Sequence, residues 1–206
     1  MDTWQMIEEE RASLVEALAA LPEGDWARPS LCSGWSVRDV VAHMIATANM
    51  TPPRFVARLA ASGFSFQRLT REDIRRYSEG RSPAEMVDAL RARISARTAP
   101  PGPTASWLGE TIVHSEDVFR ALGGYRPHPV THVIAVADFY KGSNLLIGAK
   151  NRIAGVTLRA TDTDWSHGTG PEAAGPAIAL VLAMTGRAAA LDDLTGDGVA
   201  VLRERG

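Results

Sequence analysis

Glu110 and His114 are four residues apart in a stretch, 106–122, whose pattern predicts a helix, so both side chains leave the same face. His43 interrupts an otherwise apolar stripe of Val40, Val41, Met44 and Ile45. Three such groups from two helices, converging inside a bundle, would give two imidazoles and one carboxylate to a divalent cation and leave a fourth position open. Each residue also has a plainer reading. A single histidine on an apolar helix face is more often a hydrogen-bonded core residue, and a Glu/His pair at this spacing is common on solvated helices. Spacing alone leaves the choice open. His128 and His132 form a second four-residue pair, but Pro127 and Pro129 place the first at a helix entrance, which ranks that pair lower. Metal-bound imidazoles usually donate their second nitrogen to a carboxylate or carbonyl. Asp39, four before His43, and Asp117, three after His114, are placed for this, although polar faces beside Arg38 and Arg120 account for them equally well.

Other chemistries have no carrier. The sequence contains no glycine-rich phosphate loop after a strand, no nucleophile elbow and no kinase signature. Its 206 residues are 45% hydrophobic and 22% charged, the composition of a globular protein with a real core. A net charge of -2 with no block of like charge argues against a nucleic-acid partner, which needs a concentrated positive field. The longest apolar run, 177–184, is far short of the roughly 20 residues that span a bilayer. Acids at Asp2, Glu8, Glu9 and Glu10 stand where a signal peptide would carry bases. The expectation is a soluble, cytoplasmic protein with no membrane association. Cys32, the only cysteine, excludes an intrachain disulfide and a thiolate zinc cluster. All but two of the 22 basic residues are arginine, a bias that points to a GC-rich coding sequence.

The elements that must position the histidines and glutamate are mostly helices. Residues 4–21 set Met6, Ile7, Leu14, Val15, Leu18 and Leu21 on one face, and Pro22 and Gly24 stop the helix. Ser36 is the N-cap of a helix to about residue 49, and Thr51 with Pro52 and Pro53 opens another. Ser82, Pro83 and Glu85 open a further helix with a capping-box pattern. After a loop at 98–104 comes the 106–122 helix, closed by Gly123 and Gly124, and then a helix over 129–147. The character changes near Asn151. Residues 156–160 alternate like a strand and 199–202 form a second β-like run, with an apolar helix at 177–184 between them. The prediction is an α protein with a small α+β appendage: a helical bundle over 1–150 and a small C-terminal domain over 151–206. That domain is too small to be comfortable alone and is expected to pack on the bundle.

Three stretches resemble a known family. LCSGWSVRDVVAHM, residues 31–44, is similar to the signature of the actinobacterial mycothiol-dependent maleylpyruvate isomerase family, part of the DinB/YfiT-like metal-dependent superfamily. GETIVHSEDVFRALG, residues 109–123, resembles its second metal motif. TDTDWSHGTGPEAAGPAIALVLAMTGRAAALDDLTGDGV, residues 161–199, is similar to its small C-terminal domain. The likeness runs through nearly the whole chain in the expected order, residues 52–105 apart.

The resemblance implies a DinB-like four-helix bundle followed by a small domain resembling sterol-carrier-like domains. It implies His43, Glu110 and His114 as metal ligands, with zinc the expected ion, although nickel, iron and manganese accept the same donors. It also implies mycothiol as cofactor, a small-molecule thiol bound as thiolate at the open metal position. In an isomerase that thiolate adds to a cis double bond, the bond becomes single and rotates, and expulsion of the thiolate re-forms it as the trans product. In an S-transferase it attacks an electrophile and stays attached. The substrate would be an electrophilic or unsaturated acid, and Arg187 is the candidate for binding its carboxylate, with capping of the preceding helix as its alternative role. Cys32 reads as a small buried residue, and Trp35 and Trp165 as pocket walls or packing. His167 receives no role from spacing. Monomer and homodimer both fit, and the arginine bias agrees with actinobacteria, in which mycothiol is made. The rival function is a non-catalytic metal- or small-ligand-binding module on the same scaffold.

Overall fold

The computed structural model describes residues 2–145 and 147–206, and these divide into two compact units, one running to Pro127 and one from His128. The first is helical: α1 (Thr3–Ala19), α2 (Val37–Ala48), α3 (Pro52–Ala61), α4 (Phe66–Ser78), α5 (Pro83–Arg91) and α6 (Thr104–Phe119). Helices α1 and α2 each pack against both α5 and α6, which closes a four-helix bundle. Its core includes Leu14, Leu18, Val40, Ile45, Met86 and Leu90, all essentially excluded from solvent. Each such side chain contributes about 1.5–3 kcal/mol relative to leaving it exposed. Helix α4 also packs on α2, burying Leu69 and Ile74 among its apolar residues, and its Ser65 cap accepts from the Arg68 N–H. Helix α3 has no fully buried residue, although Phe55, Arg58 and Leu59 are half-buried.

The helix starts follow local rules. Ser36 Oγ accepts from the Asp39 N–H at 3.2 Å while Asp39 Oδ2 accepts from the Ser36 N–H at 2.9 Å, a complete capping box on α2. Ser82 and Glu85 repeat the arrangement at α5. Pro52 and Pro83 occupy first-turn positions, where a missing N–H costs nothing.

The second unit contains α7 (Val130–Tyr140), α8 (Ala149–Arg152), β1 (Thr157–Ala160), β2 (Ser166–His167), β3 (Glu172–Gly175), α9 (Ala177–Met184) and α10 (Gly198–Arg203). The sheet order is β2–β1–β3, with β2 antiparallel and β3 parallel to β1. Every residue of α9 is buried, and the helix packs on α7, β1 and β3. That packing places α7 in the second unit, so the division by contact falls at residue 127 rather than near 150.

Two local expectations differ from the structure. The Val199, Ala200, Val201 and Leu202 run is not a strand but lies in α10; four apolar residues are too few to separate the two periods. The slot beside β1 is filled instead by β3, a Glu-Ala-Ala-Gly segment that no strand propensity marks. The helix expected over 129–147 ends at Tyr140, and 141–145 are turn and coil; Leu146 lies outside the described residues.

Candidate metal centre

The Ser36 capping box fixes where α2 begins, and His43 follows two turns later on the side facing α6. Glu110 and His114 lie one turn apart on α6. The loop entering α2 folds back on itself: the Ser30 N–H donates to the Trp35 carbonyl at 2.9 Å and the Val37 N–H to the Arg28 carbonyl at 2.9 Å. The Leu31 N–H donates to the Asp117 carbonyl at 3.0 Å, which pins this loop to α6. Trp35 consequently lies beside both histidines, its ring centroid 5.2 Å from that of His43 and 6.4 Å from that of His114.

One donor atom from each of His43, Glu110 and His114 falls within 4.8 Å of the other two. His43 Nε2 is 3.9 Å from Glu110 Oε1, and the imidazoles meet edge to face at 5.1 Å. Glu110 Oε1 is buried with no hydrogen-bond partner. An orphaned carboxylate oxygen costs free energy unless something positive satisfies it.

Burial and neighbouring charge drive the two imidazoles apart. Burial pushes His43 down to about 3, helped by the positive charge of His114, so its imidazole is neutral and keeps a free lone pair. Burial acts in the same sense on His114, but hydrogen bonds with Asp117 and Cys32 and the charges of Glu110 and Asp117 outweigh it and carry it up to about 10. Burial raises the Glu110 carboxyl above its usual range, against the pull of His114 and Arg11. A bound cation would displace the second proton of the His114 imidazole, while His43 already offers a free lone pair. Two imidazoles, one carboxylate and an unpaired oxygen among them fit a divalent ion with an open coordination position.

A second group adjoins the first. Cys32 Sγ donates to Asp117 Oδ2 at 3.0 Å, His114 Nδ1 lies 3.0 Å from the same oxygen, and the sulfur is 3.6 Å from His114 Nδ1. Cys32 is thus half-buried against the bundle core with its sulfur in a polar contact; its position at the head of the first motif is the only sign of that contact in the sequence. Asp117 meets His114 as the spacing suggests, whereas the Asp39 carboxylate is taken up by the α2 cap.

The other candidates lie in the second unit. Arg187 follows α9, and its Nη1 donates to the Thr185 carbonyl at 3.1 Å, a contact that caps the helix end. Trp165 Nε1 donates to Asp138 Oδ1 at 3.0 Å, and His167 in β2 has its ring 6.5 Å from that of Trp165. His128 precedes α7 and so does not share a helical face with the buried His132. Neither belongs to a metal-capable group among the described residues. No helix among the described residues is long and apolar enough to cross a membrane.

Bundle and donor set together define a class, four-helix proteins with a candidate two-histidine, one-carboxylate cation site on facing helices. Within it the lineage is specific: the chain belongs to the mycothiol maleylpyruvate isomerase N-terminal domain family, whose profile matches residues 7–122. Two solved structures share its fold. The mycothiol-dependent maleylpyruvate isomerase aligns with a TM-score of 0.64 at 14% identity, covering 95% of this chain and 91% of that one. A histidine-to-alanine mutant of a mycothiol-dependent maleylpyruvate isomerase aligns with a TM-score of 0.63 at 13% identity, with the same coverage. No curated protein sequence matches the chain.

Proposed function

We propose that this protein is an enzyme that uses mycothiol and a divalent metal, zinc, to act on an electrophilic or unsaturated acid, as a cis–trans isomerase of a maleylpyruvate-like substrate or as a thiol S-transferase. Family membership supports the cofactor and the reaction class. The observation that carries the metal is the buried, unpartnered Glu110 Oε1 facing the neutral His43. His43, Glu110 and His114 would hold the ion. When bound, it would supply Lewis acidity that lets a coordinated thiol stand as thiolate at neutral pH.

The chain's own residues do the rest. His43 contributes a lone pair because burial keeps it unprotonated. Trp35 covers the imidazoles on one side and limits water there. Arg187 is the residue assigned to a substrate carboxylate, which a guanidinium grips with two parallel hydrogen bonds. Replacing it by lysine would keep the charge but lose the fork.

The test is a panel of cis-unsaturated acids and soft electrophiles offered with mycothiol to zinc-loaded protein. Thiol-dependent turnover that disappears in Glu110→Ala and shows a raised KM in Arg187→Lys is the expected result. Turnover indifferent to thiol, or retained in Glu110→Ala, would refute the reading. Stoichiometric metal without turnover across the panel would favour the binding module.

A further inference from the structure

We infer that Cys32 and Asp117 are positioning residues for the metal centre, acting through His114 and touching neither metal nor substrate. The inference rests on the metal site proposed above and adds two residues to it. Asp117 is completely buried, and one of its oxygens, Oδ2, lies 3.0 Å from both Cys32 Sγ and His114 Nδ1. A carboxylate oxygen only accepts, so both partners donate to it. Nδ1–H donates chiefly to Oδ2 and leans towards the sulfur, 3.6 Å away.

This arrangement settles the imidazole. With Nδ1–H committed to Asp117, the nitrogen left to coordinate is Nε2, which fixes both tautomer and ring orientation. The second donor has its own effect. The Cys32 thiol restrains Oδ2 from a second direction, beside the imidazole. The backbone reinforces the clamp, because the Leu31 N–H donates to the carbonyl of the same Asp117 at 3.0 Å. The loop is in turn closed by the Trp35 N–H donating to the Cys32 carbonyl at 3.0 Å. One short loop thereby orients a ligand on α6 while leading directly into α2, which carries His43. The lone thiol of the chain is placed to donate, and a hydroxyl is its nearest chemical substitute.

The test is metal affinity, measured by chelator competition for Zn(II), together with the visible spectrum of bound Co(II), which reads ligand geometry. Asp117→Asn, which preserves shape and the backbone bond to Leu31, should weaken Zn(II) binding by roughly 10–100-fold and alter the Co(II) spectrum. Cys32→Ala should weaken it by a smaller factor with a change in the same spectral bands, and Cys32→Ser should restore both. Ser82→Ala, which removes half of the capping box of α5 without touching the clamp or either ligand helix, should leave the spectrum unchanged, so a general loss of stability is not mistaken for lost positioning. Wild-type affinity and spectrum in both Asp117→Asn and Cys32→Ala would overturn the inference alone. A wild-type protein that binds no metal would overturn it together with the metal reading.

Discussion

Glu110, His43 and His114 are ordinary residue types whose behaviour here is set by what surrounds them. The two imidazoles, 5.1 Å apart, are driven in opposite directions, one by burial and one by a carboxylate and a thiol behind it. A more exposed group shows the same logic on a small scale. Partial burial would raise Asp138, but hydrogen bonds from Lys141 and Trp165 outweigh it and hold the carboxyl below its ordinary 3.8. A lowered folded value means the contribution is complete above 3.8 and fades as pH falls through the folded value. The side chain is about half exposed, so its worth is only about 0.2–1 kcal/mol. Comparing denaturation of wild type and Asp138→Asn across pH should show a constant small gap from neutrality to about pH 4 that closes below it. A gap that widens on acidification would contradict this assignment.

At the level of elements, caps and close approaches set where the site-bearing pieces begin. Ser36→Ala removes half of a capping box and should cost about 1 kcal/mol in chemical denaturation. In the second unit, a Cβ on Gly198 would lie 2.6 Å from the Pro171 carbonyl oxygen, so α10 can approach β3 only with glycine there. Gly198→Ala should therefore lower stability by about 1–3 kcal/mol through displaced backbone, measurable by the same method. These contacts also explain what the sequence could convey. The α1, α2 and α5 helices repeat apolar residues at helical spacing and carry clear stop or start signals, and the glycines after α6 mark its end, so their pattern is readable. Helix α4 is largely polar, β3 is Ala-Gly, and α10 is four apolar residues after a glycine, so long-range packing rather than local preference decides them. His43, Glu110 and His114 stand out because histidine and glutamate interrupt or repeat along apolar helices. Cys32 does not, because its partner Asp117 is 85 residues away and only the fold brings them together.

For the whole molecule, the family profile spans the helical unit, and the likeness to solved structures extends over 95% of the chain. The mostly helical fold with a small sheet-bearing appendage was therefore legible from motif order. The division between units was less so, because α7 resembles the preceding helices in sequence but packs on α9. A metal that binds only the folded chain must also stabilise it, by about 2.7 kcal/mol at a hundredfold excess over Kd. Stripping the ion with a chelator should lower the Tm of wild type and leave His43→Ala unmoved. An unchanged wild-type Tm would count against a site built into the fold.

The central claim, that His43, Glu110 and His114 hold one metal ion, is tested most directly by elemental analysis of the purified protein and its His43→Ala variant. About one zinc per chain is expected in wild type, with a near-complete loss in the variant. Wild type without stoichiometric metal, or a variant that retains it in full, would contradict the account.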